Sequence, residues 1–558
     1  MENQRNLFAI SLVAISAILY FKWLDFIKPE ETQTPTQIEQ SADLNSIPTA
    51  TGSTSIAAAP VNGAGVPSLQ AKPAVTDPAQ LITVNTDLVI ATINTKGGVI
   101  EKLELKKEPI TIDQPDQGFP LLQNTAKEVF IVEDGLFVSG NGKAPNHLTA
   151  QYSVPSNTYD LGGSDSVVVP LTWTNELGQQ FIKTITFKRD TYIVNIDYQV
   201  INNASTALSV FQYAQFKRTE PESSGGSFAQ LPSYVGGAVY EEEDKYQKVD
   251  FGDMSDEDLK VTTDNGWISM MQHYFVGAFI PAAGERVYYT TTDRTVNPQV
   301  YRIGYKTNQG VIVQPGSSAV IGNQVFLGPK EQHRLDKIEE EMGVKGLALT
   351  VDFGIFTALS KPLFWVLDFF HGLIGNWGWS IVLTTLLIKL VFFPLSAKSY
   401  KSMAAMKKIQ PRMQTLKERY KDDRPKFQAE MMALYKKEKV NPAGGCLPIL
   451  IQIPVFLAFY WALLESVEMR HAPFTLWLQD LSAPDPYYVL PILMGLTQFL
   501  MTKLNPAPMD EMQKKVMMIM PLVLTFLFVT FPQGLVLYWV VNNILTMAQQ
   551  WYINRKYG

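Results

Sequence analysis

A stretch of 19 residues with a single charge, 377–395, limits the folds that are open to this chain. At about 1.5 Å of rise per residue, a helix of that length crosses most of the ~30 Å hydrocarbon core of a bilayer. Its one charge, on Lys389, would cost about 2.5–3.5 kcal/mol to insert. Thr385 lies one turn before Lys389 on the same helix face. The stretch therefore predicts a membrane span with a polar stripe, which other parts of the chain must stabilise.

Lys389 has two interpretations. In the first, its side chain snorkels toward lipid headgroups near the basic segment that begins at Lys398. In the second, its ammonium faces a hydrated groove inside the bilayer. We favour the second interpretation because of the polar residues in the spans that follow.

Polar side chains recur in four further apolar runs, 446–464, 487–501, 516–531 and 535–547. They include Thr384 in the first span and then Gln452, Thr497, Gln498, Thr525 and Asn543. In the last run, Tyr538, Asn542 and Thr546 share one helix face by their i, i+4 spacing. Singly, each of these side chains would serve to bind helices together. Together with Lys389 they predict one hydrophilic groove.

None of these five runs contains Asp or Glu. A proton-coupled transporter normally needs such a carboxylate inside the membrane, so the composition disfavours that class. A cation without a counter-ion in its own chain would instead attract an anionic or polar segment brought by a partner. A transporter or channel remains the alternative function.

Charge along the chain sets the predicted topology. Residues 398–439 contain 13 Lys or Arg and 5 Asp or Glu, although the whole chain has a net charge of −6. A basic block beside a span marks the cytoplasmic side, and the acidic loop 465–486 falls on the other side. With an uncleaved signal anchor at the N-terminus, the pattern predicts six transmembrane helices, five of them forming a core, with both termini in the cytoplasm.

Period-2 alternation with turn signals dominates the segment before the core, and predicts a large all-β domain outside the cytoplasm. Residues 94–98 and 175–178 read as hairpin loops. The predicted divisions are a signal anchor (1–27), a disordered linker (28–73), a β-sandwich (74–340), a linker with an interfacial amphipathic helix (341–375) and a five-span core (376–558).

The basic segment 398–439 is predicted to be a cytoplasmic helical hairpin. Its first arm carries apolar residues at 3-4-3-4 spacing, namely Met406, Ile409, Met413, Leu416 and Tyr420. The hairpin is either a solvated loop that enforces topology or a docking surface for anionic phospholipids, a ribosome or another protein.

Several other functions find no support in the sequence. The single cysteine, Cys446, excludes an internal disulfide framework. The five histidines show no metal-site spacing, so we expect no metal and no cofactor. The β segment contains no nucleophile elbow, phosphate loop or paired-carboxylate signal, so we expect neither an enzyme nor specific nucleic-acid recognition. A carbohydrate-binding β domain ranks last among the hypotheses.

Five stretches of the chain resemble the YidC/Oxa family of membrane protein insertases. They are 376–378 (NWG), 431–435 (MMALY), 440–446 (VNPAGGC), 485–495 (DPYYVLPILMG) and 534–538 (GLVLY). The resemblance implies five core spans around a groove that is open to cytoplasm and lipid. It also implies a periplasmic super-sandwich that resembles galactose mutarotase and has no activity of its own.

In function, the resemblance implies insertion, folding and assembly of inner-membrane proteins, alone and with the Sec translocon. The groove positions it implies are Thr385, Lys389, Gln452, Trp477 and Tyr538. Many family members have Arg where this chain has Lys389, and Lys lacks the planar fork of a guanidinium. Because the C-terminal tail is short, the hairpin would carry most of the contact with the ribosome.

Overall fold

The computed structural model describes residues 80–139, 143–221, 233–421, 423–438, 440, 447–504 and 511–557. The predicted signal anchor and disordered linker, 1–73, lie outside these residues, as does Cys446. A β-rich part comes first, and helices follow it.

Nineteen strands lie in the described residues of the β-rich part. They are β1 Leu81–Asn85, β2 Val89–Asn94, β3 Val99–Pro109, β4 Gly118–Asn124, β5 Val129–Val138, β6 Thr158–Asp160, β7 Ser166–Thr174, β8 Gln180–Lys188, β9 Ile193–Ile201, β10 Leu208–Thr219, β11 Gly236–Glu241, β12 Lys245–Val249, β13 Lys260–Thr263, β14 Trp267–Met271, β15 Phe275–Pro281, β16 Arg286–Asp293, β17 Val300–Thr307, β18 Val311–Val313 and β19 Ser318–Pro329.

The strands form two sheets. The 11-stranded sheet has the order β13-β16-β17-β10-β5-β4-β3-β2-β1-β6, with β18 beside β10, and the 8-stranded sheet has the order β12-β11-β14-β15-β19-β9-β8-β7. Both predicted hairpins are present, since Asn94 pairs with Val99 and Thr174 pairs with Gln180. Strand β6 pairs in parallel with β1, so the sandwich is not wholly antiparallel. The prediction of a β-rich domain is confirmed, and the domain contains two sheets.

A buried ion pair joins the two sheets. Lys183 on β8 donates to the carboxylate of Asp134 on β5, and both side chains are 0% exposed. The ammonium also donates to the carbonyl oxygen of Gly98 at 2.8 Å, and the Tyr198 hydroxyl donates to Asp134 Oδ2 at 2.7 Å. Gly98 has φ +63, and a Cβ there would lie 3.1 Å from the Lys183 side chain. Each charge in this pair therefore has the partners that a buried charge requires.

Strand β7 is one edge of the 8-stranded sheet. The N–H and C=O groups of Thr172 bond to Ser153, on the side away from β8. Pro170, two residues earlier, therefore turns its backbone nitrogen to the same outer side. Because proline has no N–H, this outer row lacks a donor at that position.

Ten helices lie in the described residues. They are α1 Phe251–Asp256, α2 Gln332–Met342, α3 Thr357–Ile374, α4 Trp377–Val391, α5 Phe393–Arg419, α6 Arg424–Lys437, α7 Leu447–Glu465, α8 Val489–Leu504, α9 Glu511–Phe528 and α10 Gln533–Tyr557. Short 3₁₀ turns lie at Leu347–Thr350, Gly354–Phe356 and Val467–Met469.

The predicted single span 377–395 is divided between two helices. α4 ends at Val391, α5 begins at Phe393, and the two are bent by 66°. Pro394, in the first turn of α5, has no N–H to donate to the preceding turn, which favours a break here. By length and hydropathy, this bent pair has the properties of a membrane span, whereas no individual helix in the described residues has them. The count of six spans therefore stays a prediction.

The loop between α7 and α8 joins the helices to the sandwich. The Arg470 guanidinium lies 3.3 Å from Glu108 Oε2 on β3 and donates to the Pro109 carbonyl oxygen at 2.6 Å. It also lies 5.6 Å from the ring centroids of Phe119 and Phe275, which stack on each other at 4.2 Å. This one side chain connects β3, β4 and β15 to the loop, and we call the contact the Arg470 joint.

Glu468, in the same loop, caps the start of α2. Its Oε1 accepts the N–H of Gln332 at 3.1 Å, which satisfies one of the free N–H groups at a helix start. Burial raises the pKa of Glu468 from 4.5 to about 7. The folded protein thus binds the proton more tightly than the unfolded chain does, so this group reduces stability as the pH rises from about 4.5 to 7.

Glu468→Gln is therefore expected to raise the melting temperature at pH 8 and to leave it unchanged at pH 4.5, where wild-type Glu468 is already protonated when folded. The glutamine oxygen still accepts the Gln332 N–H, and it does so without a buried charge. Thermal unfolding of the full chain in detergent across pH 4.5–8 measures the difference. Glu340→Gln, at an exposed position on α2, is the matched control and should show a much smaller pH-dependent difference. A lower melting temperature for Glu468→Gln at pH 8 would contradict the assignment.

Candidate functional site: a polar groove in the helical core

The break between α4 and α5 sets the position of Lys389, which lies in the last turn of α4. Its Nζ donates to Thr546 Oγ1 on α10 at 2.8 Å. Thr546 in turn donates to the Asn542 carbonyl oxygen at 2.6 Å, so its hydroxyl oxygen is free to accept from the lysine. The ammonium therefore contacts α10, whereas snorkelling would extend it toward the basic segment from Lys398 onward.

Two cavities meet around this contact. The smaller, of about 40 Å³, is lined by Lys389, Ser396 and Val455 among others. The larger, of about 220 Å³, is lined by Gln498, Asn543 and Thr546 among others. Both are also lined by Tyr400, Gln452, Tyr538 and Asn542. We call the two cavities together the polar groove; α5, α7 and α10 contribute to both parts of it.

The wall of the polar groove is mixed in character. The larger cavity adds apolar side chains, namely Met403, Ile453, Phe456, Met501 and Trp539. Tyr538 hydrogen-bonds with Gln452, which links α10 to α7. Lys389 is the one charged side chain among the described residues that line the groove, and no carboxylate is among them. The groove thus combines one positive pole with neutral donors, acceptors and apolar surface.

Most of the residues predicted for the site meet in this groove: Lys389, Gln452, Tyr538, Asn542 and Thr546. Thr385 is 1% exposed and donates to the Ile381 carbonyl oxygen at 2.6 Å, so its hydroxyl is used within its own helix. It does not line either cavity.

Trp477 also lies apart from the groove. It belongs to the loop between α7 and α8, and its Nε1 donates to Asp485 Oδ1 at 3.1 Å. Neither Thr385 nor Trp477 therefore lines these two cavities, and their part in a substrate groove stays a prediction.

Sequence reasoning missed two contributors. Tyr400 lines both cavities from α5, but it falls within the segment 398–439 that the sequence predicts to be a cytoplasmic hairpin. Gln549 Nε2 donates to the backbone oxygen of Lys389 at 3.1 Å, and it lies just beyond the apolar run 535–547. Its spacing of three residues from Thr546 was the available signal.

The basic segment contains two helices, α5 and α6, and the Arg412 guanidinium lies 2.7 Å from Glu438 between them. Five residues of α5 and the turn after it were predicted to form one face, and all five are buried or half-buried: Met406, Ile409, Met413, Leu416 and Tyr420. Helix α5 starts at Phe393, five residues before the predicted hairpin. The apolar stripe therefore packs inward, and most of the Lys and Arg side chains face outward.

Comparison with known proteins covers nearly the whole chain. Residues 369–558 match a family described as 60Kd inner membrane protein, and residues 81–366 match the YidC periplasmic domain. The membrane protein insertase YidC of Methylobacillus flagellatus is 44% identical over 563 residues, which cover 100% of this chain and 98% of that protein. The membrane protein insertase YidC of Stutzerimonas stutzeri is 41% identical and covers 100% and 99% of the two chains.

Among solved structures, a crystal structure of an active YidC insertase with its first transmembrane domain resolved is 20% identical. It covers 86% of this chain and 95% of its own, with a TM-score of 0.40. From the two family matches and the identities along the full length, the chain belongs to the YidC family of membrane protein insertases, which place proteins in the inner membrane without being enzymes.

Proposed function

We propose that the polar groove receives polar or acidic segments of nascent membrane proteins and that Lys389 attracts them. The observation that carries this proposal is the position of the ammonium, which contacts Thr546 in a groove with no carboxylate among its described lining residues. In a low-dielectric surrounding, a charge of this kind attracts an anion much more strongly than it does in water. Thr546 is a neutral partner, so an arriving carboxylate can replace it at the ammonium.

The apolar wall of the larger cavity has a complementary role. A segment that enters a membrane presents both polar and apolar side chains, and burial of each apolar group is favourable by about 25 cal/mol per Å². The side chains of Phe456, Met501 and Trp539 provide such surface beside the polar strip of Asn542 and Asn543. The groove therefore suits a substrate of mixed character.

The experiment that tests the groove is insertion by Lys389 variants. Lys389→Ala and Lys389→Glu are expected to slow insertion of a small reporter with an acidic translocated tail by about tenfold or more, which corresponds to ~1.4 kcal/mol of lost stabilisation. Lys389→Arg keeps the charge and should retain most of the activity. Quantitative insertion into proteoliposomes, with each variant at equal abundance, provides the measurement.

Lys361→Ala, at an exposed lysine on α3, is the matched control and should insert the reporter normally. If Lys389→Ala inserts acidic, neutral and basic reporters at wild-type rates, the role of the groove charge is wrong for this protein.

We also propose a topology of six spans, with both termini in the cytoplasm and the sandwich in the periplasm. The basic hairpin and the positive-inside rule support it. The outward-facing Lys and Arg side chains of α5 and α6 would contact the ribosome and anionic phospholipids. Work with the Sec translocon belongs to the same proposal. Crosslinking from Tyr538 during translation, with and without the translocon, separates the two modes of insertion.

A further inference from the structure

Helix α10 holds Lys389 at two separate atoms. Thr546 Oγ1 accepts from the ammonium at 2.8 Å, and Gln549 Nε2 donates to the backbone oxygen at 3.1 Å. The two α10 residues are three apart and therefore lie on one face. One turn of α10 thus contacts both the side chain and the main chain of the groove cation.

The backbone contact falls where the main chain of α4 loses its regular geometry. The last carbonyl groups of a helix lack partners from a following turn, and α4 ends only two residues after Lys389 with a 66° bend into α5. Pro394 removes one further backbone donor from the next turn. The Gln549 amide supplies a donor at this break.

The other end of the Gln549 amide indicates why the residue is a glutamine. Its Oε1 is buried and has no hydrogen-bond partner among the described residues. A buried acceptor without a partner is unfavourable, so an apolar side chain of similar length would suit packing alone. What an apolar side chain would lack is the donor to Lys389.

We propose that Gln549 is a positioning residue that holds the α4–α5 break against α10 and so keeps the Lys389 ammonium in the polar groove. This inference rests on the proposed function of the groove. Gln549 does not line either cavity, so it acts through Lys389 and does not itself touch the substrate. It would matter most for substrates that need the positive charge.

The test compares Gln549→Met, which keeps the length and removes the donor, with Gln549→His at pH 8, which keeps a neutral N–H donor at a similar reach. Insertion of a reporter with an acidic tail is expected to fall about fivefold in Gln549→Met, as for the loss of one hydrogen bond, and to return toward wild type in Gln549→His. Insertion of the same reporter with a neutral tail should change little. Gln414→Met, at an exposed position on α5, is the matched control.

A double-mutant cycle separates positioning from general stability. In the Lys389→Ala background, Gln549→Met should have no further effect, because two residues that act as a unit are not additive. Equal defects for acidic and neutral reporters, or a full additional defect in that background, would overturn the inference. If the Gln549→Met protein does not accumulate in the membrane, Gln549→Ala replaces it in the same double-mutant cycle, with the same expected and contradicting outcomes.

The two proposals fail in different ways. A normal rate for Lys389→Ala removes the proposed role of the groove charge. A defect in Lys389→Ala together with a wild-type rate for Gln549→Met removes only the role of Gln549.

Discussion

Asp134→Ala is expected to lower the free energy of unfolding of the β-sandwich by about 3–5 kcal/mol, the usual cost of removing one partner from a buried ion pair. Among the described residues, the substitution leaves Lys183, which is 0% exposed, with the Gly98 carbonyl oxygen as its hydrogen-bond acceptor and the Tyr198 ring beside it. Burial already lowers the pKa of Lys183 from its usual value of 10.5, and Asp134 opposes that shift. Without Asp134, the lysine must lose its proton or stay charged in an apolar surrounding.

Urea unfolding of the full chain measures the loss of stability. Hydrogen exchange of β5, β8 and β9 shows whether the loss falls on the strands around the pair. The double variant Asp134→Leu with Lys183→Met is the informative control, since replacing both members of a buried pair by apolar residues is often close to neutral. It should recover much of the stability lost in the single variant. A cost below about 1 kcal/mol for Asp134→Ala would mean that the pair contributes no more than an exposed one.

Arg470→Ala is expected to release the sandwich from the loop between α7 and α8. The Arg470 side chain is 9% exposed, and its partner Glu108 is 17% exposed, so the loss falls in the range of a largely buried pair, about 3–5 kcal/mol. The substitution also removes the bond to the Pro109 carbonyl oxygen and the contact with two aromatic rings.

Hydrogen exchange resolved along the sequence tests the Arg470 joint. Residues 105–119 and 466–485 should lose protection in Arg470→Ala, whereas β8 and α10 should keep theirs. Lys102→Ala is the control. It breaks an ion pair with Glu104 in which the lysine is 52% exposed, and such a pair contributes at most about 1 kcal/mol. Equal protection of both regions in Arg470→Ala and the wild type would show that other contacts hold the joint.

Local patterns in the sequence were sufficient to predict individual strands and hairpins. The alternation in β8 places Phe181, Ile185 and Phe187 in the core, and an Asn-to-Gly loop precedes that strand. The order of strands in the two sheets could not be predicted in this way. Pairing between β10 and β17, for example, joins residues that are about ninety apart in sequence, and no local pattern records which distant strands will pair.

The polar groove was predictable in part for a similar reason. Tyr538, Asn542 and Thr546 share a face because of one helical period, which is a local property. The sequence does not predict the break after Val391 because the run 377–395 has the length and hydropathy of a single span, and only Pro394 signals a change of direction. The contact from Gln549 to Lys389 lies at that break, so the sequence alone could not predict it.

The outer row of β7, where Pro170 presents no N–H, affects how this protein can meet unfolded chains. An insertase works among chains that have not yet folded. An exposed edge strand could pair with an extended segment of such a chain, which would add a strand to the sheet. Because a donor is missing from that edge, an extended client segment cannot pair with the whole edge as an extra strand. The β-rich domain can thus lie near incompletely folded clients with less risk of aggregating with them.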